Sequence, residues 1–293
     1  MGEFAYVAPA TVADTVAVLE EHASAGKRAQ VLAGGTDLLV QLRGSDNEPR
    51  TIVDIKQLDE TNRLDIGADE IFIGAAIASA VLYENEELKA LLPGLLESSD
   101  LIGSTQIQGR CTIGGNLCNS SPAADTTPAI IVDSGVCVIA TNSGTRELPA
   151  EDFCTGVGTN VLAPGEFLLG LKFPRPGAGT SDAYLRFIPR TEMDIAVVGV
   201  AVNVTLDDTG TCTAARVAIG AVAPTPLMVP AAADALIGTQ VDDDALAAAG
   251  VRCTEASSPI SDKRGTAEYR RKVVAVLCRR AGAIARDRAM GVS

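Results

Sequence analysis

"VLAGGTD", residues 31–37, and "CTIGGNL", residues 111–117, repeat one pattern about 80 residues apart. In each, an apolar run leads into two adjacent glycines, Gly34 and Gly35 or Gly114 and Gly115, with Thr36 or Thr112 beside the pair. Both read as strand, tight turn and helix start. Glycine lets the backbone take positive φ and approach a ligand closely. A helix start adds unpaired N–H groups and the positive end of the helix dipole. One such turn is an ordinary chain reversal; two could grip the anionic groups of a diphosphate from both sides.

Other nucleotide motifs are absent. There is no G-x-G-x-x-G, which excludes the usual dinucleotide-binding turn. "SAGKR", residues 24–28, lacks the upstream glycine of a P-loop and has Arg28 where Ser or Thr belongs. Cys111 and Cys118 flank the second glycine pair without a histidine or a further cysteine pair nearby, so they read as small packing residues and not as metal ligands. Asp125 precedes "TTPAII". Two readings stay open for it, a helix N-cap and an acceptor for a ribose or ribityl hydroxyl.

Bulk properties narrow the classes. The 293 residues are 47% hydrophobic and 21% charged, which predicts a globular chain of one large domain or a few smaller ones. A net charge of −13 argues against nucleic-acid binding through a broad basic surface. No secretory signal and no membrane span are read, and the seven scattered cysteines contain no C-x-x-C pair; the expectation is a cytoplasmic protein with reduced, mostly buried thiols. His22 is the sole histidine and falls near the end of a predicted helix, where a surface position is expected. A single histidine in that place argues against Ser-His-Asp triads and Cys-His pairs, as well as multi-histidine metal sites. No catalytic residue and no metal ligand is assigned.

The patterning predicts strand, helix, strand, helix, strand over residues 4–58, with Thr11 capping the first helix, Gly26 ending it, and "AQVLAGG" as a buried strand. "LDIGADEIFIGAAIA" reads as a hairpin. "SAVLYENEELKALLPGLLESSDLIGS" reads as helix broken at Pro93–Gly94. "PAIIVDSG" is a helix ended by Gly135, and strands "VCVIAT" and "GEFLLGLKFP" follow. "RPGAGTSDA", residues 175–183, is the best boundary candidate. Beyond it come a Val/Ala hairpin turning at "DDTG", two short helices, and a long terminal helix whose Arg-rich face reads chiefly as solvated surface.

At this point a family resemblance becomes specific. "VLAGGTDLLVQLR" and "GSTQIQGRCTIGGNLCNSSPAADTTPAII" resemble the two FAD-binding signatures of the medium subunit of the molybdenum hydroxylases, the xanthine dehydrogenase and carbon monoxide dehydrogenase family. "LPAEDFCTGVGTNVLAPGEFLLGLKFP" and "SPISDKRGTAEYRRKVVAVLCRRA" are also similar to that subunit, so the resemblance covers essentially the whole chain. It implies an α+β chain. An FAD-binding domain of the vanillyl-alcohol oxidase type would occupy residues 1–177 in two α/β lobes, about 1–58 and 59–177. A C-terminal α+β domain with a small antiparallel sheet and helices would occupy 178–293.

The resemblance implies further that Ala33, Gly34, Gly35, Thr36 and Asp37, with Thr112, Ile113, Gly114, Gly115 and Asn116, wrap the FAD diphosphate. Asp125 would hold cofactor hydroxyls. Leu169 would pack on the cofactor, and Ile195, in "RFIPRTEMDIAVVG", would lie on the flavin ring. FAD would be non-covalent, since His22 lies outside both signatures. The implied partners are a large molybdopterin subunit and a small subunit with 2Fe–2S clusters, in a dimer of heterotrimers, with no cluster on this chain. Electrons would pass from those clusters through FAD to an external acceptor. The sequence departs from the family at Gly109 and Cys111, and Val197 stands where xanthine dehydrogenases carry a lysine, which weakens the case for NAD as acceptor. Two alternatives stand beside this reading: a self-contained flavin oxidoreductase of the same fold, and a scaffold that has lost the cofactor.

Overall fold

The computed structural model describes residues 4–44 and 48–292. Its strands fall into three main sheets that follow one another along the chain. The first is fully parallel, with β1 (Phe4–Val7) and β2 (Arg28–Leu32) flanking β3 (Arg50–Asp54). Parallel strands need helical crossovers, and α1 (Val12–Ser24) and α2 (Leu38–Gly44) supply them. Thr11 caps α1 by accepting from the Asp14 N–H at 3.1 Å, and Gly26 turns the chain away at φ +64°. Two expectations need correction here. Strand β2 is only half-buried, because it lies at the sheet edge. His22 is half-buried, not a free surface residue; its ring bonds the Val18 carbonyl at 2.8 Å and the Thr51 hydroxyl at 2.9 Å, tying α1 to β3.

Next come α3 (Asp59–Asn62), the hairpin β4 (Leu64–Ile66) and β5 (Glu70–Gly74), and a run of short helices. These are α4 (Ser79–Tyr83), α5 (Glu86–Leu91), α6 (Pro93–Asp100), α7 (Thr105–Gln108), α8 (Ile113–Cys118) and α9 (Thr126–Val132). Pro93 breaks the α5–α6 run, since it suits a first helical turn and cannot continue the previous helix. Strands β6 (Val136–Thr141) and β7 (Gly144–Pro149), the small hairpin β8 (Cys154–Gly156) and β9 (Thr159–Asn160), and β10 (Phe167–Pro174) complete this part. The second sheet is antiparallel in the order β4-β5-β10-β6-β7. The α9 stop lies one residue earlier than Gly135: Ser134 takes the left-handed conformation at φ +56°.

Five residues separate β10 from β11 (Thr180–Phe187). The third sheet runs β11, β12 (Val198–Leu206), β13 (Cys212–Gly220) and β14 (Leu227–Met228), all antiparallel. Helices α10 (Pro230–Asp234), α11 (Asp243–Ala256) and α12 (Ala267–Ala289) cover one face. The Arg-rich face of α12 is solvated at Arg271, Arg279 and Arg280, while three other arginines of the helix bind backbone. Arg270 is 4% exposed and donates to the Val197 and Ala221 carbonyls, Arg286 donates to Val241, and Arg288 to Asp182.

Three apolar clusters fill the interior: one packs α1 and the first sheet against one face of the second, one lies among the second sheet and its helices, and one belongs to the third. The middle cluster also takes Tyr184, Ala201 and Ala218 from the third sheet, so the chain's two halves share a core. Phe153, Phe167 and Phe173 are fully buried there or beside it, each stabilising the fold by about 1.5–3 kcal/mol. No helix among the described residues is long and apolar enough to cross a membrane. All seven cysteines are free, and five are buried.

Candidate functional site

The first glycine turn leaves β2 at Leu32 and enters α2 at Leu38. Gly35 is its left-handed residue, at φ +79°, a conformation that disfavours side chains. Gly34 serves differently. A Cβ there would stand 2.0 Å from the Arg110 carbonyl oxygen, so the glycine lets the first turn touch the chain just ahead of the second.

The second turn departs from expectation. No strand precedes it; α7 does, with an isolated bridge between Ala78 and Thr112. Gly114 and Gly115 lie inside the first turn of α8, and neither has positive φ. Thr112 is the N-cap, accepting from the Gly115 N–H at 2.9 Å. Gly114 allows close packing, since a Cβ would meet the Ala75 carbonyl at 2.7 Å. Gly115 is less crowded but not open: a Cβ would stand 3.0 Å from the Thr112 hydroxyl that caps the helix.

Between the turns lies a cavity of about 420 Å³. Ala33, Gly34, Gly35, Thr36 and Asp37 line one side, and Thr112, Gly114, Gly115 and Asn116 the other. Ala75, Ile55, Phe167 and Leu168 form an apolar floor, with Ile102 at another edge. Asn119 donates to the Asp37 carboxylate at 2.6 Å and joins the two turns across the rim. Sequence reasoning missed Asn119, although it sits within the quoted motif. Polar turns on an apolar floor suit an amphipathic ligand with an anionic middle.

The comparisons fall on this arrangement. Residues 2–176 match the family model described as the FAD binding domain in molybdopterin dehydrogenase, and residues 183–284 match the CO dehydrogenase flavoprotein C-terminal domain. The chain belongs to the FAD-binding medium-subunit family of the molybdenum hydroxylases. It is 34% identical to the carbon monoxide dehydrogenase medium chain of Afipia carboxidovorans over 98% of both chains. It is 31% identical to the xanthine dehydrogenase FAD-binding subunit of Escherichia coli O157:H7 over 96% of this chain and 95% of that one. Among solved structures it is similar to reconstituted CO dehydrogenase from Oligotropha carboxidovorans, with TM-score 0.92, 32% identity, and 98% and 99% of the two chains covered. It is also similar to quinoline 2-oxidoreductase from Pseudomonas putida 86, with TM-score 0.88, 26% identity, and 99% and 98% covered. This flavoprotein subunit is therefore part of an oxidoreductase, with FAD as its cofactor and the mixed helix-and-sheet fold of its relatives.

The remaining residues singled out for the flavoprotein's site stand around the cavity, not in its lining. Ile113 is 1% exposed and packs beneath α8 in the middle core. Leu169 is the extra residue of a β-bulge in β10, where pairing to β6 slips between Leu168 and Gly170. Such bulges re-aim a strand; here the Leu169 carbonyl accepts from Ala75, a floor residue. Ile195 is 52% exposed in the loop between β11 and β12, which reaches back through the Met193 N–H to the Gly103 carbonyl at 3.3 Å, next to Ile102.

Asp125 opens α9 but makes no side-chain cap bond. Asn116 does that work, its amide oxygen accepting from Thr126 N–H at 3.2 Å and Thr126 Oγ1 at 2.6 Å. Asp125 turns instead to the third sheet, accepting from Tyr184 Oη at 2.9 Å and Arg186 at 2.7 Å. Burial raises its carboxyl to about 6, against Arg186 and Tyr184, which favour the charged form.

Proposed function

We propose that this chain is the electron-transfer FAD subunit of a heteromeric molybdenum hydroxylase, taking electrons from 2Fe–2S clusters on a small partner chain and delivering them to an external acceptor. Substrate oxidation would occur on a large molybdopterin chain, in a cytoplasmic dimer of heterotrimers. The observation that carries the reading is the cavity walled by both glycine turns, with Gly34, Gly35, Gly114 and Gly115 all in its lining. We assign residues 1–177 to the FAD-binding domain, with lobes at about 1–58 and 59–177, and 178–293 to the C-terminal domain.

In this reading Ala33 to Asp37 and Thr112 to Asn116 surround the diphosphate, with Ile113 acting from beneath. Bound FAD supplies the redox chemistry. The chain's residues bind, orient and shield it. Asp125 keeps lone pairs beyond those used by Tyr184 and Arg186, enough to accept a cofactor hydroxyl. Leu169 and Ile195 would bound the flavin end, outside the 420 Å³ cavity. No side chain with acid–base function is required.

The test is FAD uptake by the purified chain, followed by flavin absorbance. Wild type should bind one FAD. Gly115→Val should keep its circular-dichroism spectrum and bind none, because it adds bulk to the cavity lining and crowds the Thr112 hydroxyl, 3.0 Å from a Cβ at this position. Wild-type chain that takes up no FAD would overturn the proposal. Turnover of a small substrate by the chain alone would favour a self-contained oxidoreductase.

A further inference from the structure

Two carboxylates are buried between α9 and β11. Asp133, at the C-terminal end of α9, is 4% exposed, and Asp182, on β11, is 1% exposed. One oxygen of each has an ordinary partner. Asp133 Oδ1 accepts from Asn203 Nδ2 at 3.0 Å, and Asp182 Oδ2 accepts from the Leu95 N–H at 3.1 Å. The other two oxygens, Asp133 Oδ2 and Asp182 Oδ1, are fully buried and meet no donor. The two side chains are neighbours: Asp182 pairs across β11 and β12 with Asn203, the residue that donates to Asp133.

The surrounding charges do not rescue a doubly ionised pair. On β13, Arg216 directs its donors to the Ile131 carbonyl and Glu151. Arg288, on α12, binds the Asp182 backbone carbonyl and Glu97 of α6. Arg175, in the link after β10, binds Gly67 and Glu87. Glu97 adds negative charge near Asp182, and Asn203 on β12 is neutral. Two adjacent carboxylates out of water cannot both ionise, and a proton between them satisfies both orphan oxygens.

We propose that Asp133 and Asp182 form a proton-binding site that fastens helix α9 to the C-terminal sheet. Asp133 donates through Oδ2 and Asp182 accepts at Oδ1; Asp182 is the ionised partner, held by the Leu95 N–H. The site needs its glycine: a Cβ on Gly94 would stand 2.3 Å from Asp182 Oδ2. A cavity of about 260 Å³, walled by Asp133, Ser134, Asn203 and Arg216, gives the proton a route to solvent without unfolding. At its other end α9 is held to the same strand by Asp125 through Tyr184 and Arg186, and Asn116 of the second glycine turn caps it. Occupancy by the proton therefore bears on the support of that turn. The proposal is independent of what fills the cavity between the turns.

The full chain can be tested directly. Infrared difference spectra across neutral pH should show the C=O stretch of protonated carboxylic acid, with one component from Asp125 that stays in Asp133→Asn and one that Asp133→Asn removes. Asn at 133 retains an acceptor for Asn203 and supplies a permanent donor to Asp182. A group protonated when folded and ionised when unfolded contributes stability that declines as pH rises towards its folded titration point. The folded-to-unfolded ratio of wild type should therefore fall, relative to Asp133→Asn, about tenfold per pH unit above about pH 4 while the proton is held. Asp182→Asn should flatten the pH dependence likewise. An acid C=O signal that is the same in wild type and Asp133→Asn would overturn the proposal, as would parallel pH profiles for wild type and both variants. Stabilisation of wild type by an added cation, without the component that Asp133→Asn removes, would assign the pair to a metal and also overturn it.

Discussion

Asp125 shows what a single residue can hide from its sequence. Its position before "TTPAII" suggests a cap, yet Asn116 caps the helix and Asp125 is free to cross to the third sheet. Its Arg186 partner has a side chain only 5% exposed. Asp125→Asn leaves that guanidinium without its countercharge, and the expected cost is about 3–5 kcal/mol in chemical denaturation. Asp125→Asn within about 0.5 kcal/mol of wild type would refute this account. Nothing local announces the Arg186 contact, because the two residues are 61 positions apart and meet only through the fold. The glycine pairs were legible as a pair, but their division of labour was not. Gly35 supplies the positive φ, Gly34 and Gly114 the close approaches, and Gly115 a bare stretch of cavity lining beside Thr112.

At the scale of elements, short helices owe their placement to caps more than to propensity. Helix α8 has six residues, two of them glycine, which is too little to persist alone. Thr112 and the docking of Ile113 and Leu117 into the core hold it. Helix α9 depends in turn on Asn116. Asn116→Ala should lower stability by about 1 kcal/mol, the usual worth of an N-cap, and should weaken FAD binding more than an equally destabilising change on α11, read by comparing thermal shifts with flavin titration. Equal effects on binding would reduce Asn116 to a plain cap. The long helix α12 and the β12–β13 hairpin were readable from periodicity, because apolar spacing survives whatever packs on it. The small hairpin of β8 and β9 and the edge strand β14 were not, since such short strands leave no pattern unless, like β4, they pair with a longer apolar neighbour across a readable turn.

For the whole molecule, ionisable groups pull stability in opposite directions with pH. Arg146 holds Glu166 below its usual range, and Lys56 and Tyr6 do the same for Asp54 against its burial. Folded-state values below the unfolded ones mean stability present above about pH 4 and lost as pH falls through the lowered values. Calorimetry should show the transition temperature dropping below about pH 4, and Arg146→Met should shrink the drop between pH 6 and pH 3. An unchanged drop would remove this ion pair from the acid response. The family resemblance made the architecture readable over nearly the full length. The shared core, with Tyr184, Ala201 and Ala218 set among residues of the middle sheet, was beyond sequence reasoning because each lies in a strand that reads as belonging to its own sheet.

The contact between Gly34 and the Arg110 carbonyl also sets a timetable for biosynthesis. Every lining residue of the cavity lies between Gln30 and Leu168, so its last wall is made more than a hundred residues after the first glycine turn. The first glycine turn, made early, has nothing to close on until a loop of about 75 residues has been synthesised and folded back. Ordering of this pocket is a slow, non-local event, and a nascent chain that stalls before Arg110 carries half a grip and no cavity.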